Sequence, residues 1–305
     1  KAIDRNDSVL SRLDWRLRSL FSNDPILSHF LDEDYFWSGQ GIRGKICVEV
    51  GQGFEVEDNL LLDIAVFTEL LHNASLIHDD LIDGDTQRRG HPAVWSKYGK
   101  PKALLVGDLL IAKAFEIASL SSLDSLRKVE WVTALSKTVA TAVRGAVHEL
   151  DFTVENQSLV LEQYHTIAAD KTGVLFSLPV RCIGIASNLD DTAAHSLSQI
   201  FSNLAVAYQI KDDQADFLGF KVGREKSSDI LNGRPNIYHL LASSEQPLEE
   251  IFTLISHYQN DLILVSLQAA KALPKSVQTT LEKLLLPFVR LKPFSPTRAE
   301  IQMMG

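Results

Sequence analysis

The chain has 305 residues, 45% of them hydrophobic and 23% charged, and carries a net charge of −9. Such a length can bury a substantial core, and the balance of residues excludes a disordered chain. With 30 lysines and arginines against 39 aspartates and glutamates, no cationic excess is available for a phosphate backbone, so no nucleic-acid partner is expected.

The amino-terminal stretch "KAIDRNDSVLSRLDWRLRSLF" is amphipathic and lacks the apolar region of a signal peptide, so a cytoplasmic protein is expected. It begins at Lys1 without a methionine, as expected where a tag or leader has been removed. "KICVEV" (45–50) is a short strand candidate inside a segment equally suited to helix. Apolar residues then recur at three and four in Leu60, Ile64, Phe67, Leu71, Ala74 and Ile77, which predicts a long helix. Similar periodicity covers Val132–Leu150, Leu159–Ala168, Ala193–Phe217, Leu248–Leu267 and Val277–Leu286. Turn signals are short: "GKP" (99–101), "SNLDD" (187–191), "LNGRPN" (231–236) and "LKPFSP" (291–296). None resembles a domain linker, so residues 1–305 read as one all-α domain of about ten helices. The longest apolar runs are broken by Asp63, Glu69 and His72, or by Asp108 and Lys113, so no membrane span is expected. Cys47 and Cys182 are too few for a disulfide framework or zinc site and read as buried thiols.

Two of the helical segments end alike. "LIHDDLID" carries Asp79, Asp80 and Asp83, and "IKDDQAD" carries Asp212, Asp213 and Asp216. In each, carboxylates at i, i+1 and i+4 crowd about one helical turn and repel one another. A solvated helix end would explain either cluster alone. Two matched clusters on long apolar helices call for a compensating cation. Aspartate oxygens suit Mg²⁺, which takes one or two carboxylates and keeps positions for water and phosphate oxygens. Two such helices facing each other would form a mouth that clamps a diphosphate.

With these motifs on view, the chain resembles the trans-isoprenyl diphosphate synthases. "LIHDDLIDGDTQRRG" and "YQIKDDQAD" carry the resemblance most specifically; "GQGIRG" (39–44), "LLVGDLLIAKAF" (104–115), "DKTGVLF" (170–176) and "SSDILNGRPN" (227–236) follow in the family's order. It implies an all-helical isoprenoid-synthase-type bundle around a deep central apolar cavity, a homodimer, and about three Mg²⁺ ions per site. The implied reaction is condensation of isopentenyl diphosphate with an allylic prenyl diphosphate.

By that resemblance Asp79, Asp80, Asp83, Asp212, Asp213 and Asp216 hold metal, with Asp216 the least secured of the six. Arg88, Lys171 and Thr172 bind the allylic diphosphate, although Arg88 and Lys171 have nearby Asp85 and Asp170 as plain surface partners. Gln40, Arg43, His72 and Arg89 line the metal-free isopentenyl pocket, with Gln209, Arg224 and Arg234 as further substrate contacts. The family's usual Gly-Lys-x-x-Arg stands here as Gly39-Gln40-Gly41-Ile42-Arg43. The missing lysine removes one charge-assisted contact, worth about 1.5–3 kcal/mol; Lys45 is a possible substitute, and Lys226 competes with Arg224. No protein general base is nominated, because the departed diphosphate takes the proton in this family, and His78 reads as a packing residue. Ala74 and Ser75, one turn above Asp79, are small and leave room for a linear product of about twenty carbons or longer. Leu71, Phe115 or Trp131 would form the floor. Two alternatives stand beside this reading: a terpene cyclase on the same fold, and a non-catalytic subunit of a heteromeric synthase.

Overall fold

The computed structural model describes residues 5–30, 42–154, 156–219, 234–242 and 246–289. Among these, helix follows helix, and the strands are one pair of two-residue segments. The chain divides into two compact units, Lys1–Lys137 with Leu178–Ala194, and Thr138–Ser177 with His195–Gly305.

The first unit contains α1 (Arg5–Asn23), α2 (Leu27–Phe30), α3 (Ile42–Gly53), α4 (Asp58–Asp83), α5 (Val94–Tyr98), α6 (Lys100–Ser119) and the start of α7 (Ser125–Leu150). The expected apolar stripe of α4 is present, but Leu61, Leu62, Ala65, Val66 and Leu70 are buried as well. A helix apolar nearly all round is a core helix. It is 26 residues long and contains an 18-residue window of mean hydropathy 1.5, long and apolar enough to cross a membrane, yet most of that window is enclosed by the protein. Its Asp63 is tolerated because the Arg16 guanidinium lies 2.5 Å away; burial still raises the carboxyl's pKa, with Arg16 opposing.

The neighbours of α4 lie close for identifiable reasons. A Cβ at Gly51 of α3 would stand 2.0 Å from Leu61 Cδ2, so any larger residue there requires Leu61 to shift. The strand candidate "KICVEV" is helical within α3, where Ile46, Cys47, Val48 and Val50 are all buried. On α6, Gly107 faces His78, whose Nε2 would lie 2.2 Å from an added Cβ. His78 Nε2 also sits 3.1 Å from the Leu104 carbonyl, which confirms it as a packing residue. Trp131 of α7 is fully buried, meets Phe67 edge-on at 5.5 Å and donates through Nε1 to the Cys182 carbonyl at 3.0 Å. Cys47 and Cys182 are free and buried as expected, and burial pushes both thiols well above their ordinary range.

The second unit holds the rest of α7, then α8 (Val160–Ala168), a five-residue π-helical turn (Ala169–Gly173) and the start of α9 (Val174–Ala186). It continues with α10 (Asp191–Leu218, from His195 onward), α11 (Ile237–Ala242), α12 (Leu248–Ala270) and α13 (Lys275–Leu285). Its core joins Tyr164, Val206, Ile210, Phe217, Tyr238, Phe252 and Ile255. Tyr238, Phe217 and Phe252 meet in a triangle of mutually inclined rings, with Tyr238 5.6 and 4.8 Å from the other two and those 5.9 Å apart.

The turn signals "GKP" and "SNLDD" sit at helix boundaries. Gly99, at φ +93°, precedes α6, and Asp190 Oδ1 accepts from the Ala193 N–H at 3.0 Å at the start of α10. "LKPFSP" lies outside the described residues.

Candidate active site

In the first unit the aspartate cluster closes α4, and Gly84 ends the helix in the left-handed region at φ +73°. Past it, Gln87–Arg88 pairs antiparallel with His91–Pro92 through a two-residue turn. Both turn residues have positive φ, Arg89 at +54° and Gly90 at +79°, the requirement of a tight hairpin whose twist matches its strands. For Gly90 this is unstrained; for Arg89 it costs about 1 kcal/mol or more. The hairpin is secured by the Ala93 N–H on the Thr86 carbonyl (2.9 Å) and by Trp95 Nε1 on the Asp85 carbonyl (2.7 Å).

This hairpin returns Arg88 to α4. Its Nε lies 2.9 and 3.2 Å from the two oxygens of Asp80, and Nη2 forms an ion pair with the same carboxylate. Asp80 is 1% exposed, so both charges are largely removed from water. The triad is therefore not uniform. Asp80 turns inward onto an arginine, whereas Asp79 and Asp83 are half-buried and one turn apart on the helix.

Two turns earlier on α4, His72 is surrounded by cations. Burial, then the guanidiniums of Arg43, Arg89 and Arg88, hold its pKa well below the usual imidazole range. At neutral pH His72 is thus a neutral donor and acceptor within a pocket whose positive charge comes from the arginines. Glu69, three residues before it, is pushed up by burial and drawn back by Arg43, Arg89 and the Gly44 N–H. The structure so brings Arg43, His72, Arg88 and Arg89 into one electrostatic cluster, and adds Glu69.

In the second unit the other cluster divides as well. Asp212 is exposed, while Asp213 and Asp216 are 1% and 0% exposed. The Asp213 carboxylate accepts from Tyr164 Oη (2.8 Å), Gln209 Nε2 (2.8 Å) and the Ile237 N–H (3.0 Å). Asn236 donates through Nδ2 to the Asp213 carbonyl at 2.9 Å, and its Oδ1 accepts the Tyr238 N–H at 3.0 Å, capping α11. Gln209, expected as a substrate contact, is here a partner of Asp213. Lys171 and Thr172 occupy the π-helical turn, and Lys171 Nζ pairs with Glu149, not with the Asp170 foreseen as its surface partner. Arg234 is half-buried just before Asn236. Gln40, Arg224 and Lys226 lie outside the described residues.

Within each unit taken by itself, hard carboxylate oxygens are available for Mg²⁺: Asp79 and Asp83 in the first, Asp212 in the second. Among the described residues no three carboxylate, imidazole or thiolate groups converge into a cation cage. One or two carboxylates from either unit fit an ion completed by water and phosphate oxygens, as Mg²⁺ is in phosphoryl sites.

The sequence reading missed Tyr164, Asn236, Glu149 and Glu69. Asn236 had a usable signal: it follows Pro235 and precedes an apolar helix, the grammar of an N-cap. Glu69 lies one turn from His72 on a helix already predicted. Tyr164 and Glu149 become partners only through contacts across the fold.

The sequence matches the family described as Polyprenyl synthetase over residues 24–265. The chain belongs to that family. Polyprenyl synthetases are prenyltransferases of isoprenoid biosynthesis, and two relatives show how near this chain stands to them. It is 32% identical over 236 residues to the "Short chain isoprenyl diphosphate synthase" of Methanocaldococcus jannaschii, covering 77% of this chain and 71% of that one. It is 33% identical over 260 residues to the "Geranylgeranyl diphosphate synthase" of Saccharolobus solfataricus, covering 83% and 78%. A solved structure of the "Geranylgeranyl Pyrophosphate Synthetase" of Geoglobus acetivorans superposes with a TM-score of 0.77 over 92% of this chain and 97% of that one. At 22% identity it establishes the fold, the all-helical isoprenoid synthase fold.

Proposed function

We propose that this polyprenyl synthetase condenses isopentenyl diphosphate with an allylic prenyl diphosphate, releasing diphosphate and a linear product of about twenty carbons or longer. One observation supports this reading above others: Arg43 and Arg89 gather with neutral His72 two turns along α4 from Asp79. A cluster in which guanidiniums outnumber the one carboxylate, Glu69, suits a second, metal-free diphosphate, which a cyclase has no use for.

Mg²⁺, held by Asp79, Asp83 and Asp212, would neutralise charge on the leaving diphosphate. Arg88, anchored on Asp80, and Lys171 would bind that same group and stabilise its charge as the carbon–oxygen bond ionises. The carbocation then needs apolar walls that exclude water. No imidazole is assigned as base: His72 is ringed by arginines and His78 is engaged in helix packing. The isopentenyl double bond attacks the allylic cation and forms the new carbon–carbon bond. The departed diphosphate accepts the proton that the resulting cation loses as the double bond re-forms.

Relatives are named for farnesyl and for octaprenyl products, so family membership leaves product length open. The small side chains of Ala74, buried, and Ser75, half-buried, favour the longer class.

The test is a product assay of purified protein with Mg²⁺, isopentenyl diphosphate and farnesyl diphosphate. A linear product of about twenty or more carbons is expected. A cyclic hydrocarbon from the allylic substrate alone would assign a cyclase, and no turnover with any allylic substrate would assign a partner subunit.

A further inference from the structure

The Lys171–Glu149 pair follows from how α7 meets the π-helical turn. A π turn carries one residue more than the α-helical path and pushes its side chains out of register, which is why such turns recur at functional positions. Here the turn is gripped from two sides. On α7, Gly145 has no Cβ; one added there would stand 2.6 Å from the Lys171 nitrogen and 2.8 Å from the Asp170 carbonyl carbon. On α10, Ser202 approaches Gly173 so closely that a Cβ would lie 2.6 Å from its Oγ. Ser177 Oγ donates to the Gly173 carbonyl at 2.5 Å and ties the turn to α9. The main chain at Lys171 is therefore placed by contacts that do not involve the Glu149 carboxylate.

Glu149 lies one turn beyond Gly145 on the same face of α7 and reaches only the ammonium. The two side chains are 21% and 19% exposed, so the pair is partly withdrawn from water. A partly buried ammonium is costly unless it is paired, and Glu149 supplies a carboxylate partner for it. A diphosphate arriving at Lys171 offers a stronger anion for the same Nζ, and the carboxylate then stands as a like charge beside it.

We propose that Glu149 is the resting counter-ion of Lys171 and competes with the allylic diphosphate for it, so that this carboxylate sets the affinity for that substrate. The inference rests on the reading of Lys171 as a diphosphate ligand. It predicts an effect opposite in sign to that of losing an ordinary binding residue: removing the charge tightens binding.

The experiment compares Glu149→Gln with Lys171→Met in the full chain, using steady-state kinetics with farnesyl diphosphate varied at saturating isopentenyl diphosphate and Mg²⁺. Glu149→Gln is expected to lower KM for farnesyl diphosphate roughly three- to tenfold, the change residing in KM and not in kcat. Lys171→Met is expected to raise KM by roughly tenfold or more. Glu149→Asp, whose carboxylate is withdrawn by one methylene, should move KM in the same direction as Glu149→Gln and less far, and serves if the glutamine variant folds poorly. A KM that rises in both glutamate variants would make Glu149 an orienting residue and overturn the proposal. A KM unchanged in them, with Lys171→Met impaired, would make the pair incidental and also overturn it. If Lys171→Met too leaves KM unchanged, it is the diphosphate-binding role of Lys171 that fails.

Discussion

Replacing Tyr164 with phenylalanine removes one hydroxyl and leaves the ring, so it isolates a single bond to Asp213. The hydroxyl donates at 2.8 Å to a carboxylate that is 1% exposed, and Tyr164 itself is 3% exposed, so no water takes the vacated place. A hydrogen bond to a charged partner contributes about 1.5–3 kcal/mol. Asp213 keeps Gln209 and the Ile237 N–H, so a loss of about 2 kcal/mol, in the lower part of that span, is expected.

The tyrosine adds a pH signature. Burial first, then the adjacent Asp213 charge, raise its pKa well above the ordinary value. A raised native pKa means that the folded chain holds a proton which the unfolded chain releases. That stability is full below an unfolded pKa of about 10 and declines by about 1.4 kcal/mol per pH unit above it, until the native pKa is reached. Phenylalanine has no such loss, so a gap of about 2 kcal/mol near pH 8 should close near pH 11.5. Urea denaturation followed by far-UV circular dichroism at both pH values measures it. A variant as stable as the parent near pH 8, or a gap that persists near pH 11.5, would refute the reasoning.

The members of the first aspartate cluster should respond differently to alanine. Asp80→Ala strands a mostly buried Arg88 and is expected to cost about 3 kcal/mol or more, read by urea denaturation. Asp79→Ala relieves carboxylate repulsion, so turnover should vanish with stability equal or higher. His72, held neutral by burial and three arginines, contributes stability that is present above its unfolded pKa and lost as pH falls below it. Its replacement by glutamine should flatten the decline between about pH 6.5 and pH 5, measured in the same assay. Ser75→Phe should shorten the product to about fifteen carbons when geranyl diphosphate is the primer, as chromatography of the dephosphorylated products would show. Unchanged length would remove Ser75 from the wall of the chain-length space.

Local order in the chain carried the helical class and the positions of both aspartate clusters, because spacings of three and four act within one or two turns of a single helix. The same local grammar marked turns at Gly99 and Asp190, which the structure shows at helix starts. Arg43, His72, Arg88 and Arg89 are candidates through the family resemblance and not through local order.

What it left open required contacts between residues far apart in sequence. "KICVEV" suits a strand or a helix, and packing of Gly51 against Leu61 accompanies its helical form in α3. Asp79 and Asp80 are adjacent and chemically identical, yet Asp80 is buried against an arginine that a hairpin eight residues on returns to it, while Asp79 is half-buried. Asp213 is enclosed because Tyr164 and Asn236, 49 and 23 residues away, converge on it. Lys171 had Asp170 beside it in sequence and found Glu149 instead, 22 residues away. Periodicity reports which residues share a helix face. Which carboxylate is neutralised, which imidazole stays uncharged and which glutamate pairs with a given lysine depend on desolvation and on charges from other helices, and those exist only once the chain is folded.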